Sequence, residues 1–179
     1  MYLYGMGHKN FIRLSFNNYG IVVTDEEAQR FREMYFAQFP RLALWHKQQE
    51  ILCEQNGGAY NAFGRYRRLE AIYSEDNYER GGAIRRAINT PVQSTASDIL
   101  LGAACEIAYY LQATFPDKSA FIVGTIHDSI MVECKESDKE AIIAKVKGIM
   151  ENPKILRYFR VKLRIPLVAD VAEGAWGSE

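Results

Sequence analysis

Apolar positions recur along this chain with two different periods, and the switches between them mark out the elements. From Phe121 to Glu133 two apolar runs flank a short polar interruption, which predicts a β-hairpin. Strand alternation would put Ile122, Gly124 and Ile126 on one face, with His127 and Asp128 carried out at the tip. Elsewhere the period is helical. Thr24-Asp25-Glu26-Glu27 is a capping box, followed by Ala28, Phe31 and Tyr35 on a stripe that stops near Pro40. A second helix over 42–55 mixes Leu44, Trp45, Gln48, Ile51 and Leu52, and Gly57-Gly58 ends it. Ala59 to Leu69 alternates aromatic and small residues before a glycine and a basic cluster, which reads as a short hairpin, and Tyr73 to Glu79 reads as a surface loop.

Arg80 to Asn89 is read as helix, interrupted at Thr90-Pro91 because an interior proline removes a hydrogen bond and restricts its predecessor. Thr90 is then the expected N-cap of a new helix with Pro91 at its first position, and Val92, Ala96, Ile99, Ala103, Ile107 and Tyr110 form its apolar face through Leu111. Ser137-Asp138-Lys139-Glu140 is a second expected capping box, before a helix marked by Ile142, Ile143, Val146 and Ile149 that ends near Asn152-Pro153. Tyr158 to Val171 alternates in Val161-Lys162-Leu163-Arg164-Ile165 and is expected to add one or two strands to the hairpin sheet, with fraying past Glu173. Met1 to Gly7 is aromatic and apolar without a cap or a period. The expected class is α+β, an antiparallel sheet packed against several α-helices in one compact unit with no linker, its parts meeting near residues 58 and 59.

Composition changes this picture little. The 179 residues are 48% hydrophobic and 12% aromatic, enough for a substantial core. Twenty-two basic residues balance 22 acidic ones, so net charge advertises no nucleic acid or membrane, and any such binding must come from local clusters. Cys53, Cys105 and Cys134 are scattered and odd in number, which argues against a disulfide framework or zinc knuckle and suits a reducing cytosol. With no secretory segment and no run of about 18 apolar residues, the expected location is cytoplasmic.

Three clusters carry candidate chemistry. His127-Asp128 is either a solvated turn or a metal-binding carboxylate on a rigid ribbon. Arg65, Arg67 and Arg68, interleaved with Tyr66, are either phosphate contacts or a charged edge that discourages strand pairing. Arg85, Asn89, Gln93 and Ser97 recur every four residues, a polar stripe about 18 Å long if the helices are nearly continuous. A guanidinium and two amides suit phosphate and base-edge hydrogen bonding better than the Lys and Glu of an ordinary solvated face. A hydrolase relay of His127, Asp128 and Ser129 is a poor alternative, because adjacent strand residues point apart.

Taken together and in order, several stretches resemble the C-terminal part of family A DNA polymerases, the DNA polymerase I type. Tyr4-Gly5-Met6 resembles the end of that family's nucleotide-binding fingers helix, and Arg85-x-x-x-Asn89-x-x-x-Gln93 with Pro91 resembles its duplex-contacting helices. Ile126-His127-Asp128 resembles its metal-binding palm hairpin, and Glu173-Gly174-Ala175-Trp176 its terminal strand. The resemblance implies fingers over residues 1–58 and palm over 59–179. It implies that Asp128 is one of two aspartates holding Mg²⁺ ions, and that His127 contacts the primer end. Arg85, Asn89 and Gln93 would lie along the minor groove of the primer-template, Tyr4 would stack beside the templating position, and Arg65, Arg67 and Arg68 would approach the duplex backbone. Ser129 stands where the family commonly has an acidic residue, so it would hydrogen-bond a metal-bound water rather than ligate.

The second metal-binding aspartate, the triphosphate-gripping fingers residues and the thumb have no match in this sequence. The implied function is therefore that of a C-terminal fragment or split subunit of a template-directed DNA polymerase, using primer-template DNA and dNTPs. It would be active only beside an N-terminal polymerase fragment. An initiator-like Met1 favours a separately encoded piece over a truncation. The alternative is a non-catalytic duplex-DNA-binding module.

Overall fold

The computed structural model describes residues 2–174 of the chain. They divide into two compact units, Met1–Ser94 and Thr95–Glu179, so packing places the boundary at Ser94 and not near residue 58. The reason lies in the first hairpin, which the sequence groups with the segments downstream of it. Its Ala59 and Leu69 are buried in one cluster with Cys53, Ile72, Ala83 and Ala87, joining it to the helices on either side.

In the first unit a single 3₁₀ turn (Tyr2–Tyr4) precedes α1 (His8–Tyr19), α2 (Asp25–Gln38) and α3 (Pro40–Asn56). Helix α1 was not expected from the sequence. It starts at Gly7 with no side-chain cap and has no acidic residue in its first turn, so the usual start signals are missing, while Gly20 closes it in the left-handed conformation at φ 66°. An aromatic cluster holds this part together. Tyr2 stacks on Phe11 at 5.2 Å and meets Tyr35 at 5.7 Å, and its hydroxyl donates to the Ala28 carbonyl at 3.1 Å. The capping box at α2 forms as expected: the Thr24 hydroxyl accepts from Glu27 N at 3.2 Å, and the Glu27 carboxylate accepts from Thr24 N at 2.9 Å. Pro40 opens α3 at its first turn, and Gly57 ends it in the left-handed conformation.

Strands β1 (Gly58–Tyr60) and β2 (Tyr66–Arg68) pair antiparallel, Gly58 opposite Arg68. A Cβ on Gly58 would sit 2.2 Å from the Arg67 carbonyl oxygen and 2.6 Å from the Tyr66 ring, so the approach of the strands requires glycine here. The expected 73–79 loop is shorter than the sequence suggests. A 3₁₀ turn covers Glu70–Tyr73, and α4 (Asn77–Asn89) starts early because Asp76 caps it, accepting from Tyr78 N at 2.7 Å. Thr90 is not an N-cap. It has helical dihedrals (φ −57°, ψ −47°), and its hydroxyl donates to the Arg86 carbonyl at 2.7 Å. The chain passes Pro91 through a five-residue π-turn, Thr90–Ser94, whose wider hydrogen-bonding pattern tolerates the interruption that a proline imposes on an α-helix.

The second unit contains α5 (Thr95–Thr114), β3 (Ala120–Ile126), β4 (Ser129–Cys134), α6 (Lys139–Glu151) and α7 (Lys154–Tyr158). Ala103, Ile107 and Leu111 of α5 bury against Ala120 and against Ile142 and Ile149 of α6, with Ile122, Ile130, Val132 and Cys134 packed on them. A bulge between Ile122 and Gly124 alters the expected facing. Ile122 pairs with Val132 but Gly124 with Met131, so Ile126, opposite Ser129, leaves the face of Ile122 and is 40% exposed.

Two further expectations are corrected. The 137–140 capping box does not form, because a 3₁₀ turn (Glu136–Asp138) leads into α6 and leaves Asp138 in helical rather than extended conformation, with no side-chain cap bond. Residues 158–174 add no strand among the described residues. Their alternation finds no partner strand, and they run irregularly after α7, tied down by Lys139 to Glu173 at 3.0 Å and by Ala169 N donating to Glu151 at 3.3 Å. Of the expected terminal strand, Glu173 and Gly174 belong to this irregular stretch, and Ala175 and Trp176 lie outside the described residues. The chain is thus α+β, and its described residues form two separate two-stranded antiparallel sheets packed against helices.

Candidate nucleic-acid and metal-ligand sites

The first unit gathers most of the predicted binding residues around α4 and the π-turn. Gly5, at φ 75°, seats the N-terminal turn on α4, where a Cβ would meet Ile88 Cδ1 at 3.1 Å and Arg85 Cγ at 3.5 Å. This brings Tyr4, 38% exposed, to the helix that carries Arg85. The turn is also held by His46, whose Nε2–H donates to the Leu3 carbonyl at 2.8 Å. The Arg85 guanidinium lies back along its own helix, close enough that a Cβ on Gly81 would come within 3.4 Å of it.

Asn89 ends α4 half-buried, and its Oδ1 is enclosed without a hydrogen-bond partner among the described residues. Amide groups are normally satisfied when buried, so this atom stands out. Gln93 is exposed within the π-turn, whereas Ser97 is exposed on α5 in the second unit.

Arg65, Arg67 and Arg68 are all exposed on the first hairpin. Arg68 forms an ion pair with Glu70, while Arg65 stands in the β1–β2 loop. That loop is shaped by Asn61, which is 6% exposed. Its Oδ1 accepts from Phe63 N at 3.0 Å and Arg65 N at 2.9 Å, and its Nδ2 donates to Ser94 Oγ at 3.0 Å. Asn61 and Ser94 were not singled out from the sequence. The available signal was an asparagine three residues before a glycine in a turn, here Gly64 at φ 82°.

In the second unit, β3 and β4 are joined by a two-residue turn, His127-Asp128, with both residues exposed. His127 has φ 52°, a left-handed conformation that glycine adopts freely and that a histidine adopts at some expense. The Ser129 hydroxyl donates to the Ile126 carbonyl at 2.8 Å, closing the turn from below and leaving its lone pairs able to accept. A cavity of about 360 Å³ in this unit is lined by β4, α6 and residues 169–174, and neither His127 nor Asp128 lines it. The tip presents an exposed carboxylate on a two-residue turn. Among the described residues no group of three or more His, Cys, Asp or Glu side chains could hold a metal ion.

In fold, the chain matches a polymerase domain. The POL domain of Pol1 from M. smegmatis, in complex with DNA primer-template and dNTP, superposes with a TM-score of 0.76 at 22% identity, over 93% of this chain and 27% of that one. The family description DNA polymerase family A matches residues 1–178, and the chain belongs to that family. It is 30% identical over 172 residues to DNA polymerase I of Deinococcus radiodurans, covering 96% of this chain and 16% of that protein. It is 28% identical over 156 residues to the DNA polymerase of Bacillus phage SP01, covering 87% of this chain and 17% of that protein. The chain thus spans about one sixth of the length of these relatives. No helix among the described residues is long and apolar enough to cross a membrane.

Proposed function

We propose that this chain is the C-terminal portion of a template-directed DNA polymerase, fingers end and palm, that supplies one metal-binding aspartate and part of the primer-template contact surface. The observation that carries the reading is the β3–β4 tip, where Asp128 projects from a two-residue turn on a ribbon packed against α5 and α6. Family A membership supports it. Family A polymerases generally use Mg²⁺, and a divalent ion bound at such a site would favour deprotonation of the 3′ hydroxyl and neutralise charge on the leaving pyrophosphate.

The chain's own residues do the rest by position. Asp128 offers one ligand, and His127 beside it faces the primer end. Ser129 fixes the turn and can accept a hydrogen bond from an ordered water. Arg85, Asn89 and Gln93 contact the minor groove, where shared acceptors allow pair geometry to be checked without reading sequence. Tyr4 stacks beside the template, and Arg65, Arg67 and Arg68 meet the backbone. Because only one carboxylate of a two-aspartate site is offered, activity requires an N-terminal polymerase fragment that brings the other.

Mixing the chain with such a fragment, primed template, dNTPs and Mg²⁺ should give primer extension that Asp128→Ala abolishes. Extension that survives Asp128→Ala would refute the metal role, and extension by this chain alone would refute the need for a partner. The small metal-donor set keeps a second reading in play, a non-catalytic duplex-binding module, in which duplex binding persists and no fragment restores synthesis.

A further inference from the structure

We propose that Asn61 is a positioning residue that yokes the Arg65 loop to the π-turn carrying Gln93, so that backbone contact and base-edge contact are set as one body. The inference rests on the duplex-binding reading above and adds residues outside the recognised motifs. Within residues 61–65 the backbone closes on itself twice, Asn61 N donating to the Arg65 carbonyl at 3.0 Å and Gly64 N to the Asn61 carbonyl at 3.1 Å. The Asn61 side chain then fastens the loop from inside, through the N–H groups of Phe63 and Arg65. Its remaining functional atom, Nδ2, reaches 33 residues along the chain to Ser94 Oγ, next to Gln93.

A buried amide that satisfies two loop donors and one distant acceptor leaves the loop little freedom to move independently of the π-turn. The π-turn benefits equally. Its Pro91 provides no backbone donor, and Ser94 gains a fixed external contact at the last position of the turn. Arg65 would bring charge to a phosphate and Gln93 an amide to a base edge, and the Asn61–Ser94 bond sets the spacing between them.

The test measures affinity of the full-length chain for a fluorescent primer-template duplex across a salt series, together with amide hydrogen exchange of the free protein. Arg65→Ala and Gln93→Ala each should weaken binding about three- to ten-fold, and Arg65→Ala should also lower the salt slope by about one. Asn61→Ala should match in affinity a variant that combines Arg65→Ala with Gln93→Ala, reduce the salt slope likewise, and speed exchange at Phe63 and Arg65. Ser94→Ala should weaken binding while those two amides stay protected, and Ser94→Thr, which keeps the acceptor, should restore it.

Affinity unchanged in Asn61→Ala, where Arg65→Ala and Gln93→Ala both weaken binding, would overturn the yoke alone. Unaltered exchange at Phe63 and Arg65 in Asn61→Ala would overturn it without reference to DNA. Arg65→Ala and Gln93→Ala both without effect would overturn the duplex-binding reading and the yoke with it.

Discussion

Replacing Asn89 with alanine should make the free protein more stable and its complex with DNA weaker. Asn89 Oδ1 is enclosed and unpartnered, and a buried acceptor left without a donor costs roughly 1–3 kcal/mol. Asparagine is also a poorer helix former than alanine, by up to about 0.7 kcal/mol in a helix interior and less at the last position of α4. Against these gains stands the loss of packing around a half-buried amide, on the order of 0.5–1 kcal/mol. The balance is a stabilisation of about 1–2 kcal/mol. For a chain of 179 residues this is roughly a 3–6 °C rise in melting temperature. In the complex the sign reverses, since the amide would there be hydrogen-bonded, and its removal should weaken duplex affinity about three- to ten-fold. Urea unfolding and fluorescence anisotropy with a primer-template duplex read the two effects on the same preparations. A lower unfolding midpoint for Asn89→Ala would refute the reasoning, because it would mean that the amide is already satisfied in the free protein.

Two glycines should respond oppositely to the same substitution. Gly58→Ala drives a Cβ into the Arg67 carbonyl and the Tyr66 ring, which is itself held by its hydroxyl donating to the Asn56 carbonyl at 2.9 Å. Overpacking against backbone should cost about 2–4 kcal/mol, whereas Gly148→Ala, inside α6 with nothing within 4 Å, should stabilise by about 0.5–1 kcal/mol; thermal melts of the two variants settle the comparison. Thr24→Ala should destabilise by about 1 kcal/mol near neutrality through loss of the α2 cap. Hydrogen bonds from the Thr24 backbone and then its side chain hold the Glu27 carboxyl below the usual glutamate range. The folded pKa is the lower one, so the contribution is present above the ordinary value and is lost as pH falls through the depressed one. The penalty of Thr24→Ala should accordingly shrink in acid, as read from urea midpoints at neutral and acidic pH.

What could be read in the sequence was whatever local chemistry decides. Thr24 and Glu27 satisfy each other across three residues, Gly57 takes the left-handed cap, and the polar break at His127-Asp128 has room only for a turn. Where the outcome depends on residues far away, the pattern misled. Val161 to Ile165 alternates like a strand but meets no partner strand among the described residues, so Ile165 is 78% exposed. Ser137 to Glu140 has the letters of a capping box, but the preceding 3₁₀ turn fixes the backbone in the wrong region for a cap. Pro91 correctly announced an interruption, yet the choice between a fresh helix and a π-turn rests on the Thr90 hydroxyl folding back to Arg86 and on Ser94 meeting Asn61. Neither contact is visible in periodicity.

The places where local physics is least satisfied coincide with the residues that the polymerase reading selects. Lys118 and Arg160 also have positive φ; Arg160 closes the last turn of α7, while Lys118 lies in the turn between α5 and β3, its N–H donating to the Phe115 carbonyl at 3.0 Å. His127 has no helix to close. A hairpin of this kind would accept glycine at the same position without strain, so a histidine there exchanges up to about 1–2 kcal/mol of backbone preference for a side chain at the tip. Asn89 leaves an acceptor unpaired, and the π-turn after it forgoes the tighter hydrogen bonding of a continuous α-helix. Each departure has a different physical origin, and each falls on or next to a side chain assigned to DNA or to the metal. Strain of this sort persists where the surrounding structure over-determines it. Here that structure is the α5–α6 core beneath the β3–β4 ribbon, and the Asn61 clamp beside the π-turn.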